Sequence, residues 1–511
     1  MKPWEEKTLF GLLEDTVKKH GERLAVVDSN HEYTYEQLLE KVCKLSDYLY
    51  YLGFRKKDRV IVQIANSAMF EIVIFSLFKI GAVPILILPA HKEHVVDAIC
   101  QRAEPVAYIT MEDFYGTDYR KAAIKLKDKY SFIKHILTVS ELEEIIEKEN
   151  VERADTEPVS PRNLAFLSLS GGTTGIPKLI PRYNGEYCYN AICTAGHCKM
   201  DESTVNLTAI PAAHNFAFGT PGMIGTVYCG GLNVMCEYPS PLEIFDMIET
   251  HKVTMMSFVP SVVSLCIQYR EIDESYDLSS IKYILVGGAM FTSEMAKKCE
   301  EILGGILIQV YGMSEGMTFL TDTKADDYVR FNTQGKPCAG EDEFKIVDED
   351  FNPVPDGTEG EIVVKGPYTI HEYYRASKSA QSSFKDGYYR PGDKGIKDKT
   401  GNIIVTGRSK EMINRAGEKI MPSEVEKFFA DLCGVKNCAA LGIKDELLGE
   451  AICVFYEGDD EYTTSEVSKL FREKQIEDCC IPDRIIRVMD LPLTPVGKTD
   501  KNRLREMISD E

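Results

Sequence analysis

Basic residues are in short supply: Lys and Arg number 59 against 80 Asp and Glu, a formal net charge of -21 over 511 residues. So acidic a chain lacks the basic face that displaces counterions from DNA or RNA, which excludes sequence-independent nucleic-acid binding. A local basic patch for an acidic protein partner stays open. No apolar run opens the chain, and Met1 to Phe10 is unfit to be a signal peptide. The 15 cysteines, an odd number in a large chain without a secretory signal, are therefore expected as reduced thiols in a cytoplasmic protein. Internal repeats and low-complexity tracts are lacking. One stretch, Met69 to Ala90, approaches the roughly 20 apolar residues of a membrane span. Glu71, Lys79, Gly81 and Pro84 interrupt it, so it reads as a buried helix (Ser67–Lys79), a Gly-Ala turn and a buried strand (Val83–Leu88).

What is present suits an ordinary globular protein, 44% hydrophobic and 27% charged, and too long for one hydrophobic core, so at least two domains are expected. Short apolar runs suited to buried strands recur at Val60–Ile64, Val83–Leu88, Leu164–Leu169, Ile281–Val286 and Leu307–Val310. They alternate with amphipathic helical patterns such as Leu38–Leu52, Pro241–Lys252 and Ser293–Ile302. This alternation predicts an α/β architecture with largely parallel sheets. From about Asp342 the pattern changes to short alternating strands with turns at Asp356-Gly357, Asp386-Gly387 and Thr400-Gly401-Asn402, a β-rich subdomain. Mixed α and β follows Gly407, with a boundary near Val405–Lys410.

The most informative segment is Ser170-Gly171-Gly172-Thr173-Thr174-Gly175-Ile176-Pro177-Lys178, directly after a predicted strand. Glycines let backbone N–H groups approach phosphate oxygens, the hydroxyls donate further bonds, and the lysine adds charge. Lys178 follows Ile176-Pro177 rather than the last glycine, so this is not the G-x-x-x-x-G-K-[ST] loop. The competing reading is a flexible glycine turn. Cys188, Cys193 and Cys198, with His197, lie five apart; helical positions so spaced diverge by about 140°, a poor match to a zinc site.

Further motifs follow in order: Val286-Gly287-Gly288-Ala289, Tyr311-Gly312-Met313-Ser314-Glu315, Tyr389-Arg390-Pro391-Gly392-Asp393, Gly407-Arg408-Ser409-Lys410 and Pro495-Val496-Gly497-Lys498. Taken singly each has a plain alternative: a strand-end turn with a solvated glutamate, a surface charge, an exposed lysine. Together, and in this order, they resemble the adenylate-forming superfamily of acyl-CoA synthetases, nonribosomal adenylation domains and luciferases. The resemblance spans nearly the whole chain and implies an ATP-dependent ligase that makes an acyl-AMP. It implies that Ser170–Lys178 holds the pyrophosphate end of ATP. Gly288, Ala289, Val310, Tyr311, Gly312, Met313 and Ser314 would surround the adenine, with Tyr311 stacking on it. Glu315 would hold Mg²⁺ through oxygen, Asp393 the ribose diol, and Arg408 nucleotide oxygens. Lys498 would be the catalytic lysine, offsetting charge as it develops between carboxylate and α-phosphate. Pro391 stands where the family usually has Thr. The implied layout is a large N-terminal domain, residues 1–408, of two parallel-rich sheets sandwiched by helices plus the β-rich subdomain. A small mobile α+β domain, residues 409–511, would swing about Lys410.

The acid is read from His214-Asn215-Phe216, where amino-acid-activating members carry a Phe-Asp pair. A neutral Asn215 gives a buried ammonium no counter-charge, whereas an amide can bond a ring hydroxyl; the alternative for Asn215 is a capping or turn residue. His214-Asn215-Phe216, Asn332–Pro337, Gly366–Ile370 and Ile413–Lys419 are similar to 2,3-dihydroxybenzoate- and salicylate-AMP ligases of siderophore pathways. By that resemblance Asn215 meets an ortho hydroxyl or ring nitrogen, His214 sits near the carboxylate, and Gly287, Gly288 and Val310 line the ring slot with Phe216. Thr220, in place of the relatives' Ser, adds a methyl to the pocket, and one methylene is worth about 1–3 kcal/mol of discrimination. No carrier-like Gly-Gly-x-Ser segment follows these motifs, so the expected acceptor comes in trans: a phosphopantetheinyl aryl carrier protein, or CoA. No nucleic-acid or membrane partner is expected.

Overall fold

The computed structural model describes residues 6–148, 152–170, 177–376, 382–408, 411–415, 418–445, 448–474, 476, 480–495 and 497–509. The apolar runs become strands where the sequence places them: Arg59–Gln63, Val83–Leu86, Leu164–Leu169, Tyr283–Gly287 and Ile306–Gly312. The amphipathic patterns become the helices Tyr35–Tyr51, Pro241–His251 and Ser293–Leu303. The first begins three residues earlier than its periodicity suggests, because Thr34 caps it: its hydroxyl accepts from the Gln37 amide while the Gln37 side chain reaches back to the Thr34 N–H.

Among the described residues the strands form two large, mostly parallel sheets. One runs in the order Lys336–Pro337, Thr318–Leu320, Ile306–Gly312, Tyr283–Gly287, Met255–Phe258, Val205–Thr208, Leu232–Met235, Leu24–Val27, Glu32–Thr34. The other runs Leu179–Tyr183, Leu164–Leu169, Val83–Leu86, Arg59–Gln63, Ala107–Thr110, His135–Thr138. Helices cover them, and the helix Ala68–Ile80, buried at every position but Lys79, fills the space between layers. That helix accounts for the apolar stretch. Its Glu71 is fully buried, with Oε2 accepting from Asn233 Nδ2 at 3.2 Å, and Lys79 reaches Asp47 at 3.2 Å. Among the described residues no helix is long and apolar enough to cross a membrane.

The predicted β-rich region is an antiparallel sheet built from Glu343–Val347, Glu359–Lys365, Phe384–Lys385, Tyr388–Tyr389, Asp393–Lys397 and Ile403–Arg408. A separate sheet follows, centred on the long pair Val435–Asp445 and Gly449–Gly458, with the helices Pro422–Ala430 and Thr464–Glu473 packed on its own core. The strand Ile403–Arg408 ends the one sheet and Ile413–Arg415 opens the other. The hinge residue read from the sequence, Lys410, lies outside the described residues.

Candidate active site

Strand-end residues Tyr311, Asp393 and Arg408, with Glu315, meet a loop of the C-terminal region that carries Lys498. Strand Leu164–Leu169 pairs antiparallel with Leu179–Tyr183, and the glycine-rich loop spans that turn. Its ends are tied together: Ser170 N donates to Lys178 O at 3.0 Å, and Ser170 Oγ accepts from Lys178 N at 2.9 Å. Gly171, Gly172, Thr173, Thr174 and Gly175 lie outside the described residues. The Lys178 ammonium stands 4.4 Å from the centre of the Tyr373 ring. The Tyr373 hydroxyl donates to Glu315 Oε1 at 3.0 Å and lies 3.0 Å from the Tyr389 hydroxyl. Tyr373, which no motif marked, thus joins the phosphate loop, the Glu315 strand end and the Tyr389–Asp393 segment.

Glu315 is buried and keeps lone pairs beyond its bond to Tyr373. Among the described residues no group of three or more His, Cys, Asp or Glu side chains is arranged to hold a metal. Mg²⁺ is commonly bound by one or two carboxylates plus substrate phosphates, so the single buried carboxylate of Glu315, joined through Tyr373 to Lys178, fits that ion.

Asp393 accepts from two sequence-predicted partners: Tyr311 OH at 2.8 Å and Arg408 Nε at 3.0 Å. Burial and the Asp393 charge push the Tyr311 phenol well above its ordinary range, so it is a donor. Each carboxylate oxygen retains a further lone pair for a diol. Gly288, Ala289 and Gly312 are exposed at the ends of neighbouring strands, and Met313 and Ser314 are half-buried beside them.

Lys498 enters from the C-terminal region. Its loop is closed by Gly497 N donating to Thr494 O at 2.9 Å and Lys498 N to Thr494 Oγ1 at 3.1 Å. The loop is seated on the first turn of the helix Pro260–Ile272, where Ser261 Oγ donates to Gly497 O at 2.8 Å. Gly497 holds φ +75°, and a β-carbon there would come within 2.9 Å of Val259 Cγ2, so this close seat takes only glycine. The Lys498 side chain passes Gly288, whose β-carbon position is 3.6 Å from Lys498 Cε. Burial, then the Arg408 cation, lower the Lys498 ammonium to about 8. His214 is lowered to about 4 by burial, then by Lys498 and His91. Its imidazole is neutral at pH 7, and since Nδ1 accepts from Phe216 N at 3.3 Å, the proton sits on Nε2.

Next to His214 lie the residues expected to line the acyl pocket. Gly287 is paired with Val310, and a β-carbon on it would meet the Val310 carbonyl at 2.6 Å, so the close approach of the two strand ends requires glycine there. Val310 and Phe216 belong to one buried cluster. Asn215 is the buried polar group, its Oδ1 accepting from Tyr187 OH at 2.9 Å and Tyr368 OH at 3.2 Å. Thr220 is buried just after the short helix Asn215–Gly219, and its hydroxyl has no protein partner among the described residues. Behind the pocket Arg182, fully buried, donates to the carbonyls of Ser314 (3.1 Å), Glu315 (3.4 Å) and Tyr368 (2.6 Å).

Sequence reading missed Tyr187, Arg182, Tyr373 and Ser261, which carry no motif of their own. Tyr368 lay inside the Gly366–Ile370 segment and was within reach.

The profile of the AMP-binding enzyme family matches residues 13–374, and that of the AMP-binding enzyme C-terminal domain matches residues 424–498. The chain is similar to the 2,3-dihydroxybenzoate-AMP ligase of Bacillus subtilis (strain 168), 37% identical over 512 residues, 99% of this chain and 95% of that one. It is 36% identical to the vibriobactin-specific 2,3-dihydroxybenzoate-AMP ligase of Vibrio cholerae over 514 residues, 98% and 94% of the two chains. Among solved structures it is similar to apo MbtA of Mycobacterium smegmatis, with a TM-score of 0.75 and 32% identity over 98% of this chain and 95% of that one.

Proposed function

The chain belongs to the AMP-binding enzyme family and is an adenylate-forming ligase that uses ATP and Mg²⁺; from this premise we propose that it activates an aryl carboxylic acid of the hydroxybenzoate type as aryl-AMP. Pyrophosphate is released, and the acyl group passes to the phosphopantetheine thiol of a carrier protein acting in trans. A siderophore-type, nonribosomal pathway is the natural setting, and the supply of ATP and carrier protein puts the reaction in the cytoplasm.

The observation that carries this reading is the Lys498 loop seated beside Gly288, next to a pocket whose buried polar group is the neutral amide of Asn215. The bound aryl carboxylate attacks the α-phosphorus and the α–β anhydride bond breaks. Lys498 offsets the charge that grows between these groups, and His214, neutral and protonated on Nε2, donates toward the carboxylate. Ser170–Lys178 cradles the departing phosphates, Asp393 holds the ribose diol, Arg408 binds nucleotide oxygens, and the Tyr311 strand end receives the adenine. Glu315 would hold Mg²⁺, which would supply charge neutralisation at the phosphates.

The units that move are residues 1–408 and 409–511, turning about Lys410. After adenylation the second unit rotates, withdrawing Lys498 and opening a path for the thiol, a hinge motion absorbed by few residues.

ATP–pyrophosphate exchange over benzoates, hydroxybenzoates, picolinates, cinnamates and amino acids tests the reading. Strong exchange with an ortho-substituted aryl acid supports it. Exchange confined to amino acids or aliphatic acids removes the aryl assignment. Rapid CoA-dependent AMP release without a carrier would make CoA the acceptor.

A further inference from the structure

A neutral amide can present either its oxygen or its NH₂ to a ligand, and these select opposite chemistries. Which one Asn215 presents is decided by its surroundings. Its Oδ1 takes protons from two phenols, Tyr187 and Tyr368, at 2.9 and 3.2 Å. Both rings are closed off, at 0% and 1% exposure, and burial raises both phenols, so they remain protonated donors. Turned over, the amide would aim Nδ2 at two hydroxyl oxygens, and neither buried phenol proton would have an acceptor among the described residues, a costly arrangement.

The phenols are themselves held. The Tyr368 ring lies 3.7 Å from the guanidinium carbon of Arg182, and its carbonyl accepts from Arg182 Nη2. Tyr187 passes Gly219 so closely that a β-carbon there would meet the Tyr187 hydroxyl at 2.5 Å. A 5.9 Å approach brings the two tyrosine rings side by side. Among the described residues nothing accepts from Asn215 Nδ2.

We propose that Tyr187 and Tyr368, braced by Arg182, are specificity-determining residues: they hold the Asn215 amide with its NH₂ toward the acyl ligand, so the pocket selects an acceptor ortho to the carboxylate and rejects an ortho donor. The inference rests on the aryl-acid reading above and narrows it. In a 2-hydroxybenzoate the hydroxyl proton bonds the neighbouring carboxylate and an oxygen lone pair points outward to Nδ2; a ring nitrogen beside the carboxyl offers a lone pair likewise. In a 2-aminobenzoate one N–H bonds the carboxylate and the other points at Nδ2, donor against donor. A site built to bond a polar group strongly rejects an analogue that cannot make the bond. The tyrosines act through Asn215 and are positioning residues; neither touches the reacting atoms.

The test is pyrophosphate exchange with the near-isosteric pair 2-hydroxybenzoate and 2-aminobenzoate on the full chain and on Tyr187→Phe, Tyr368→Phe and the double variant. The native protein is expected to favour the hydroxy acid in kcat/KM by more than about tenfold. With both hydroxyls removed the amide is free to turn, and the ratio is expected to shift toward the amino acid analogue by about tenfold. Each single variant moves it the same way by a smaller factor, so the outcome does not hang on the double variant folding. KM for ATP checks that the nucleotide site is intact. An unchanged ratio in folded variants, or no preference in the native protein, overturns the clamp while leaving aryl-acid activation standing. Exchange with no aryl acid at all, across the wider panel, overturns the aryl reading and the clamp with it.

Discussion

At the scale of single residues, Lys498 shows how a local environment sets chemistry. An ordinary lysine stays charged to about pH 10.4, but this one, half-buried and facing the Arg408 cation, is lowered to about 8 by desolvation and then by that cation. The adenylation role proposed for it needs the ammonium form, which is present below about pH 8 and lost as pH rises through that value. His214, lowered to about 4, is already neutral from pH 5 upward and adds no change in that window. The kcat/KM for ATP in pyrophosphate exchange, which reports the free enzyme, is therefore expected to fall with a slope near one above about pH 8. A Lys498→Arg variant, always charged, should lack that limb whatever its absolute rate. A native profile level to pH 10 would separate Lys498 from the rate.

At the scale of elements, the first turn of the helix Pro260–Ile272 is a seat for the loop that carries Lys498. Ser261 Oγ reaches Gly497 O at 2.8 Å, and Gly497 fits against Val259 only because it lacks a side chain. One hydrogen bond is worth about 0.5–1.5 kcal/mol net, so Ser261→Ala is expected to slow aryl-AMP formation roughly two- to tenfold. Thioester formation from supplied aryl-AMP, which under the proposed rotation does not use this docked loop, should keep its rate or rise. Equal loss in both half-reactions would reduce Ser261 to a folding role.

At the scale of the whole molecule, one chain offers Lys498 to the cleft from a region with its own sheet and core. Lys498→Ala should cripple adenylation by a factor of about a hundred or more, as loss of a transition-state charge partner does. It should leave thiol attack on supplied aryl-AMP nearly intact. Comparable damage to both steps, read by single-turnover assay, would mean that the two half-reactions share Lys498 and that no withdrawal occurs.

Much of the fold and of the site is legible in the sequence. Strand runs, capping boxes and turn residues are decided by neighbours along the chain, so the strands Leu164–Leu169 and Tyr283–Gly287, the helix Pro241–His251 and the β-rich region from Glu343 lie where their patterns put them. Ordered motifs named Glu315, Asp393, Arg408 and Lys498, and the structure gathers these into one cleft. Local pattern does not encode what meets across the fold. Tyr187 and Tyr368 close on Asn215 from 28 and 153 residues away, and Ser261 meets Gly497 across 236. Tyr187 and Ser261 sit in no motif, and the motifs holding Asn215, Tyr368 and Gly497 do not say what each meets, because those contacts answer to the path of the chain and not to its neighbours. The sequence by itself determined the architecture and the chemistry of the reaction; only the tertiary structure decided which end of the Asn215 amide the two phenols hold, since that depends on hydrogen bonds between segments that packing alone brings together.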